Sequence, residues 1–556
     1  MSENGRTPYG SDAMLGAILR RIMPDLDSEA LYRALLAKDT RFDGRFFVGV
    51  ATTGIYCRPV CRARKPLAVN CSFYATAAEA EQAGFRPCLL CRPELAPGYA
   101  PVDSSASLAR AAARYIERNC GVQGSLTDIA RHLGCSNRHL RRVFEDAYHV
   151  RPVEYRQTCR LLLAKSLLTD TDLSVVDVAY SAGFGSLRRF NEVFRHRYRL
   201  TPTALRSQAR LSRTDGDAVR LSLGYRPPYC WDLMLKFLAR RAIPGVEKVE
   251  DDRYARTIRL RSSGRDLTGW VTVDNDAEHN RLTVTVSASL LPALPVVLDG
   301  IKNLFDLHCE PDTVARALTS MDESALGPFI PGIRVPGCFD AFETAVLAVL
   351  GQQVTVQAAR TLAGRLVQAL GSPMDTGIDG LTTTFPMVQE LLNLDGAIEQ
   401  HLGPLGIIAA RARAIHGLAA MMSSGIIDAS CCPDPEAAVT RFMEIPGIGV
   451  WTAGYIAMRC LAWPDAFLAT DLEVRKALRT PSPGKILTLA ERWKPWRAYA
   501  VMHLWNRAEA ESVSDHTTKS KKRNEKKEAM RYLSHYESPL GAMTMASDGE
   551  HLTGLW

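Results

Sequence analysis

The sequence contains no run of 18 apolar residues, and this absence excludes a conventional membrane-spanning helix. The first 24 residues also lack the apolar core of a secretory signal, because Glu3, Asp12 and Arg20 interrupt them. We therefore expect residues 1–24 to be a flexible leader and the protein to act in the cytoplasm, associated with the nucleoid. In that reducing compartment, the 14 cysteines of the chain remain thiols or metal ligands.

The 556-residue chain is too long for one hydrophobic core, so several domains are expected. Its net charge of +8 is unevenly distributed. Residues 101–213 contain 19 Lys and Arg against 10 Asp and Glu, a net +9, and residues 1–100 contain 13 against 10, a net +3. The remaining residues must then carry about −4. This concentration of positive charge in the N-terminal part predicts nucleic-acid binding there.

Four cysteines form two close pairs, Cys57-x3-Cys61 and Cys88-x2-Cys91, separated by 26 residues. Each pair spans one turn, and folding can bring the two turns together so that four thiolates bind one Zn²⁺ at about 2.3 Å. A purely structural zinc knuckle also fits this spacing. Basic residues crowd the same loops, which favours contact with a polyanion. These residues are Arg58, Arg62, Arg64, Lys65, Arg86 and Arg92.

An internal repeat of 50 residues follows a linker at 97–107, with Phe144 aligned to Phe194 and Tyr148 to Tyr198. Each copy is predicted to be a helix, a Gly-containing turn and a basic amphipathic helix, which is the helix-turn-helix pattern. Arginines on both second helices argue against the alternative, an all-helical packing module. Two copies can contact two groove segments without dimerisation, so we expect a monomer. The residues expected to contact DNA are Arg138, Arg141, Arg188, Arg189 and Asn191.

This duplicated pattern resembles the AraC-type DNA-binding domain. The segments TTGIYCRPVCRA (52–63) and GFRPCLLCRP (84–93) resemble the zinc domain of Ada-type DNA repair proteins. In that family the first cysteine of the set is a zinc ligand and also accepts a methyl group from a DNA phosphotriester. The resemblance therefore implies one Zn²⁺ and assigns Cys57 as the methyl acceptor. We hypothesise that methylation changes the charge of the zinc site from −2 to −1, which reduces its repulsion of DNA phosphate.

The pattern changes after a second linker at 210–224. Stretches with period-two alternation predict strands at 257–261, 269–273 and 281–290, in addition to FFVGV at 46–50. The periodicity is helical after Pro336. Within that part, IPGIGVWTA (445–453) predicts a tight hairpin between two helices. Gly447 and Gly449 would leave backbone N–H groups exposed to a DNA phosphate, although a structural turn between helices is the alternative.

Asp471 lies 22 residues after Gly449, and this arrangement resembles the helix-hairpin-helix DNA glycosylase superfamily. The segments 226–242, 336–354 and 491–506 narrow the resemblance to the AlkA-type 3-methyladenine DNA glycosylase II. It implies that Asp471 is the catalytic carboxylate, whereas a lone Asp before an apolar helix is otherwise a helix cap. The implied base pocket comprises Trp451, Tyr455, Trp505 and Phe237, with Trp505 as the stacking residue and Phe237 equally suited to the core.

Three positions depart from patterns of the superfamily. Trp451 occupies the place where bifunctional members carry a Schiff-base Lys, so we expect a monofunctional enzyme that leaves an abasic site. Gln353 occupies the place of the apolar wedge that fills the gap left by the flipped base. In addition, Thr470 stands where the namesake has an acid, so a supporting carboxylate is missing.

The C-terminal residues begin a further pattern. Residues 519–527 are a charged run, and 530–556 resemble the start of an alkylguanine-DNA alkyltransferase. The Pro-Cys-His-Arg motif of that family is absent from the sequence, so we expect an inactive fragment with one or two strands.

Together these observations predict a multidomain fold: a small α+β zinc domain, an all-α duplicated helix-turn-helix domain, and an α+β subdomain followed by an all-α helix-hairpin-helix glycosylase domain. The expected boundaries are leader 1–24, zinc-binding methyl-acceptor domain 25–98, helix-turn-helix domain 105–207, α+β subdomain 217–310, glycosylase domain 311–510, charged linker 511–529 and alkyltransferase-like fragment 530–556.

The predicted function is an adaptive response to DNA alkylation that combines methyl-phosphotriester repair, transcription regulation and excision of alkylated purines. The expected partners are promoter and alkylated double-stranded DNA, with RNA polymerase as a further candidate and no membrane. One alternative is a regulator whose glycosylase half only binds damaged DNA. Another is a pure repair enzyme whose helix-turn-helix domain delivers the active site to duplex DNA.

Overall fold

The structure is a computed structural model that describes residues 28–96, 107–122, 125–208, 218–262, 264–324, 328–425, 427, 432, 434–480, 482–509, 532–538, 541–547 and 551–555. The predicted leader at 1–24 and charged linker at 511–529 lie outside these residues. Among the helices that the structure describes, none is both long and apolar enough to span a bilayer.

The N-terminal unit has the predicted α+β fold. Its four-stranded sheet has the order β3-β1-β2-β4, and β2 and β4 are parallel neighbours. Because they run in the same direction, Cys57 at the end of β2 and Cys88 just after β4 reach the same edge of the sheet. The elements are α1 (Ser28–Ala37), β1 (Phe47–Val50), β2 (Ile55–Cys57), β3 (Cys71–Tyr74), α2 (Ala77–Gln82) and β4 (Arg86–Pro87).

Within residues 107–122 and 125–208 the structure describes seven helices, and the second helix of each copy begins and ends in the same way. Ser136 and Ser186 cap the second helix of each copy by accepting a hydrogen bond from the backbone N–H three residues later. The same helices are followed by His149 and Arg199, both in the left-handed region, at φ 57° and 53°. The helices are α3 (Ser107–Arg118), α4 (Leu126–His132), α5 (Asn137–Tyr148), α6 (Pro152–Asp170), α7 (Val175–Ser181), α8 (Leu187–Tyr198) and α9 (Pro202–Gln208).

A five-stranded antiparallel sheet of order β5-β9-β8-β7-β6 forms the next unit. Two of its strands contain the stretches predicted at 257–261 and 269–273. The third predicted stretch, 281–290, forms a strand only as far as Ser287. A 3₁₀ helix begins at Ala288 and contains Pro292, which cannot donate to a strand ladder. The elements are β5 (Ala218–Gly224), α10 (Trp231–Arg241), β6 (Glu247–Glu250), β7 (Arg253–Ser262), β8 (Arg265–Asp276), β9 (Arg281–Ser287) and α11 (Leu294–Leu304).

The rest of the glycosylase half is mainly helical, as predicted, apart from the two-residue strands β10 (Ser372–Pro373) and β11 (Thr383–Thr384). Residues 497–509 form its last described helix. The other helices are α12 (Pro311–Ala317), α13 (Ala341–Leu350), α14 (Val356–Leu370), α15 (Val388–Leu392), α16 (Ile398–Leu402), α17 (Ala409–Ser423), α18 (Pro435–Met443), α19 (Val450–Cys460), α20 (Leu472–Ala477) and α21 (Pro483–Ala490).

Near the C-terminus, the structure describes three antiparallel strands, so the expectation of one or two was too low. They are β12 (Tyr532–Ser538), β13 (Gly541–Ser547) and β14 (Leu552–Leu555). Gly541 begins β13 opposite Ser538, which closes a short hairpin that the sequence pattern did not separate into two strands.

One hydrophobic core joins the second helix-turn-helix copy to the glycosylase half. It includes Phe190 of α8, Val219 of β5 and Phe305, all with 4% or less of their surface exposed. The first copy has a separate core around Leu140 and Phe144. The domains therefore pack against one another and are not connected by linkers alone.

Candidate functional site

The four predicted zinc ligands lie together in the N-terminal unit. The sulfur atoms of Cys57, Cys61, Cys88 and Cys91 all lie within 4.8 Å of one another. Four sulfurs at about 2.3 Å from one zinc ion would be about 3.8 Å apart at the corners of a tetrahedron. The donor set and its spacing therefore fit a structural or reactive Zn²⁺ site, as predicted.

The local contacts of the cluster distinguish its members. Cys61 and Cys88 are buried, whereas Cys57 and Cys91 are half-buried. Hydrogen bonds from the thiols of Cys57, Cys61 and Cys91 hold the pKa of the Cys88 thiol well below its usual range. Cys88 is therefore the member at which these contacts favour the thiolate, which is the form that binds a metal.

Arg58 forms a bridge beside this cluster. Its backbone N–H donates to Cys91 Sγ at 3.3 Å, and its guanidinium donates to the Cys91 carbonyl at 3.2 Å. The same guanidinium pairs with the Asp43 carboxylate, with Nε 2.7 Å from Oδ1. Arg58, one of the basic residues expected near the cysteines, thus holds the two cysteine loops together.

The predicted hairpin is present and exposed. Gly447 has φ 92°, which favours glycine, and Gly449 is the N-cap of α19. A Cβ at Gly449 would meet no atom within 4 Å, so this side of the hairpin is open. Gln352 holds the hairpin in place, because its Nε2 donates to the Gly447 carbonyl and to Thr452 Oγ1, both at 2.9 Å.

Asp471 is both a helix cap and a neighbour of the aromatic residues. As the N-cap of α20, its Oδ1 accepts from the backbone N–H groups of Glu473 and Val474, each at 3.0 Å. Trp451 Nε1 donates to Asp471 Oδ2 at 2.8 Å, and Trp505 Nε1 donates to Oδ1 at 3.0 Å. Four donors thus orient one half-buried carboxylate, so Asp471 is a helix cap that also contacts two of the aromatic residues.

The four aromatic residues expected in the base pocket are brought together around this carboxylate. The rings of Trp451 and Tyr455 are stacked with centroids 5.2 Å apart, and those of Phe237 and Trp505 are stacked at 6.3 Å. Tyr455 and Trp505 lie 6.4 Å apart and connect the two pairs. Phe237 is 8% exposed, so it contributes to the core as well as to this cluster.

Two arginines behind the aromatic cluster were not identified from the sequence. The Arg241 guanidinium lies 3.7 Å from the Phe237 ring centre, and Arg459 donates to the Tyr455 hydroxyl at 2.8 Å. Burial opposes ionisation of that phenol, yet the guanidiniums of Arg459 and Arg241 lower the pKa of Tyr455. The only sequence signal is the i, i+4 spacing of each arginine from its aromatic partner.

Gln353, the predicted wedge, is exposed at φ 54° in the loop before α14. Its neighbour Gln352 ties this loop to the hairpin, so Gln353 lies beside the predicted DNA-facing turn. The predicted contact residues of the helix-turn-helix domain are also exposed, and Arg189 pairs with Glu192 at 3.3 Å. These exposed residues are Arg138, Arg141, Arg188, Arg189 and Asn191.

Comparisons with known proteins match the three parts of the chain separately. Residues 30–94 match the metal binding domain of Ada, residues 129–208 match a helix-turn-helix domain, and residues 220–340 match the AlkA N-terminal domain. These matches agree with the cysteine cluster, the repeated helices and the five-stranded sheet described above.

One related protein covers most of the chain, and others cover parts of it. The "Probable bifunctional transcriptional activator/DNA repair enzyme AlkA" of Mycobacterium tuberculosis is 37% identical over 494 residues, which are 87% of this chain and 97% of that protein. DNA-3-methyladenine glycosylase 2 of Escherichia coli is 38% identical over 51% of this chain and 96% of its own length. The bifunctional transcriptional activator/DNA repair enzyme Ada of Escherichia coli is 36% identical over 29% of this chain and 43% of its own length.

The predicted family, fold class and zinc-binding donor set are thus confirmed. The chain belongs to the family of bifunctional transcriptional activator/DNA repair enzymes of the AlkA type, in which an Ada metal-binding domain and a helix-turn-helix domain are joined to a 3-methyladenine DNA glycosylase.

Proposed function

We propose that Asp471 is the carboxylate that drives base excision. The observation that carries this proposal is its orientation by two indole N–H groups and two backbone N–H groups. Cleavage of the C1′–N bond leaves the electron pair on the purine nitrogen and positive charge on the sugar. A fixed carboxylate stabilises that charge and orients or deprotonates the water that adds to C1′.

The aromatic cluster is the proposed binding site for the flipped base. A purine alkylated at N3 or N7 is cationic and already a good leaving group, and aromatic faces attract such an electron-poor ring. Trp451, Tyr455, Trp505 and Phe237 supply those faces next to Asp471. With Trp451 and no Lys at the second position after Gly449, the proposed reaction is hydrolysis without strand cleavage.

Cys57 is the proposed methyl acceptor of the cysteine cluster. Its half-buried position in β2 favours it over the buried Cys61 and Cys88. Cys91 is half-buried too, and the resemblance to the Ada-type zinc domain selects Cys57 as the first cysteine of the set. The Sγ lone pair would attack the methyl carbon of the phosphotriester while the C–O bond breaks. The bonding electrons remain on the phosphate oxygen and restore the diester anion. A bound Zn²⁺ would keep the sulfurs deprotonated at neutral pH.

Methyl transfer would reduce the number of thiolate charges in the cluster from four to three. Because phosphate contacts dominate DNA affinity, less negative charge at this surface would strengthen DNA binding. Gly447, Gly449 and Gln353 are proposed to contact damaged DNA. Arg138, Arg141, Arg188, Arg189 and Asn191 are proposed to contact promoter DNA, and their exposure supports this.

The same proposal includes a monomer that recruits RNA polymerase and is associated with the nucleoid in the cytoplasm. Two helix-turn-helix copies in one chain support a monomer, which sedimentation of the full chain on DNA would test. The domain boundaries given above remain predictions, and limited proteolysis followed by mass spectrometry would test them.

A glycosylase assay on DNA containing N-methylpurines tests the core of the proposal. We expect base release by the wild type and by Cys57→Ala, and a large loss in Asp471→Asn. The alternative regulator, whose glycosylase half only binds damaged DNA, predicts that Asp471→Asn leaves base release unchanged.

A further inference from the structure

A buried carboxylate connects the zinc domain to the helix-turn-helix domain. Glu81 of α2 has only 2% of its surface exposed. Its Oε1 accepts from the Tyr56 hydroxyl at 3.2 Å and from the Tyr198 hydroxyl at 3.4 Å, and its Oε2 accepts from Thr158 Oγ1 at 3.0 Å. Since a buried polar group is costly unless it is hydrogen-bonded, these contacts hold the two domains in one arrangement.

The hydrogen-bond partners of Glu81 lie next to the cysteine cluster and in the helix-turn-helix domain. Tyr56 immediately precedes Cys57 in β2, and Tyr198 is the last residue of α8, the second helix of the second helix-turn-helix copy. Arg197, also in α8, donates to the Glu81 carbonyl at 3.0 Å. One residue therefore links the strand that carries the methyl acceptor to a helix that is expected to contact DNA.

The strand has little freedom to absorb a change at Cys57. Successive strand residues point to opposite faces, so Cys57 faces the cysteine cluster while Tyr56 faces α2. Tyr56 is fully buried, and its carbonyl accepts from the Cys88 backbone N–H at 3.0 Å. Opposite Tyr56, a Cβ at Gly49 would lie only 2.8 Å from Tyr74. Such tight packing transmits a displacement instead of absorbing it.

A second set of contacts fixes the other cysteine pair. Arg92 follows Cys91 and pairs with Glu94 at 3.0 Å and with Asp170 of α6 at 2.6 Å. Lys165 of α6, which is fully buried, pairs with Glu94 at 2.6 Å. Because these ion pairs hold the second cysteine pair on α6, a displacement of the first pair relative to α6 is expected to act on the contacts of Glu81.

We propose that Glu81 is a positioning residue that transmits the methylation state of Cys57 to α8 through Tyr56 and Tyr198. This inference rests on the proposed methyl transfer to Cys57. It differs from the charge argument, because a change in thiolate charge alone would raise DNA affinity without any dependence on the Tyr56 or Tyr198 hydroxyls.

The test uses the full chain and single Tyr→Phe substitutions that remove one hydroxyl and keep the ring. Tyr56→Phe and Tyr198→Phe each remove one hydroxyl contact of the Glu81 carboxylate, while the contact of Arg197 with the Glu81 backbone carbonyl remains in both. Tyr155→Phe is the matched control, because the Tyr155 hydroxyl donates to Glu117 within the helix-turn-helix domain and does not reach Glu81. Each protein is incubated with duplex DNA that contains one methylphosphotriester, and the methyl groups on Cys57 are counted by mass spectrometry.

Hydrogen–deuterium exchange of the peptide 187–198 is then compared before and after methylation, after removal of the DNA. We expect a several-fold change in the wild type and in Tyr155→Phe. In Tyr56→Phe and Tyr198→Phe, we expect normal methylation of Cys57 but no change in exchange.

Two results would overturn the inference: an unchanged exchange rate in methylated wild type, or a wild-type response in both Tyr56→Phe and Tyr198→Phe. A wild type that acquires no methyl group on Cys57 would instead contradict the proposed methyl transfer. Near-ultraviolet circular dichroism of each unmethylated variant tests whether it is folded. If either Tyr56→Phe or Tyr198→Phe is unfolded, the other variant decides the outcome.

Discussion

Replacement of Asp471 by Asn is expected to remove base excision while leaving the fold intact. Asn is as good an N-cap as Asp, so its oxygen can still accept from the backbone N–H groups of Glu473 and Val474. Its amide nitrogen would then face the Trp451 indole N–H, and the hydrogen bond now at 2.8 Å would be lost. The loss of one hydrogen bond costs about 1 kcal/mol of stability.

The effect on the reaction is much larger, because the substitution removes the negative charge. Two unit charges about 4 Å apart interact by about 4 kcal/mol at an effective dielectric constant of about 20, which suits a half-buried site. Since about 1.4 kcal/mol corresponds to a tenfold change in rate, loss of the carboxylate charge is expected to slow cleavage about 10³-fold.

The assay measures single-turnover release of radiolabelled methylpurines from methylated duplex DNA. Asp434→Asn is the matched control, because Asp434 is also an N-cap, accepting from the Ala437 N–H at 3.0 Å at the start of α18. A rate for Asp471→Asn within tenfold of the wild type would refute the assignment, and so would an equal loss in Asp434→Asn.

Trp505, Glu81 and the cysteine cluster can each be tested by one substitution. Trp505→Phe keeps an aromatic ring, a smaller one, but removes the donor to Asp471, so single-turnover release should fall about tenfold, the equivalent of one weak charged hydrogen bond. A rate equal to that of the wild type would contradict this. Burial raises the pKa of Glu81 to about 7, so the protonated side chain contributes roughly 3 kcal/mol to the free energy of unfolding. This contribution is fully present below about pH 4.5 and is lost as the pH rises through 7. Urea unfolding at pH 5 and pH 8 should therefore differ more in the wild type than in Glu81→Gln, and equal differences would contradict this. Elemental analysis should find one zinc per chain in the wild type and less in Cys88→Ala. The same variant should show faster hydrogen exchange in residues 28–96. Full zinc retention in Cys88→Ala would contradict the four-cysteine site.

The sequence predicts the cysteine centre well because its signal is local. The spacing within each pair defines two turns, and a short sheet then has only to bring the turns together. Even so, the pairing of β2 with β4 as parallel neighbours, which places Cys57 and Cys88 at one edge, is a tertiary feature. The role of Arg58 in joining the two loops also depends on that pairing.

In the glycosylase site, too, some features follow from the sequence and others depend on the tertiary structure. The spacing from Gly449 to Asp471 and the aromatic positions follow from the sequence resemblance, and the structure places Asp471 and the aromatic residues side by side. The hydrogen bonds from Trp451 and Trp505 to the carboxylate, and the approach of Arg241 to Tyr455, join segments that are distant in sequence. Local patterns carry no information on such contacts.

Glu81 is the clearest case that sequence reasoning missed. In the helix AAEAEQ it looks like an ordinary exposed charge, and only the packing of α6 and α8 against α2 buries it. A composition or periodicity argument treats a glutamate as solvated, since burial between domains is decided by surfaces far apart in the chain.

One chain is proposed to have two independent repair centres, a methyl-accepting Cys57 and a base-excising Asp471. The most direct measurement follows both reactions on one duplex that contains methylphosphotriesters and N-methylpurines. Cys57→Ala should lose methyl uptake and keep base release, and Asp471→Asn should keep methyl uptake and lose base release. The account would be contradicted if Cys57→Ala still accepted the phosphotriester methyl group, or if Asp471→Asn released bases at the wild-type rate.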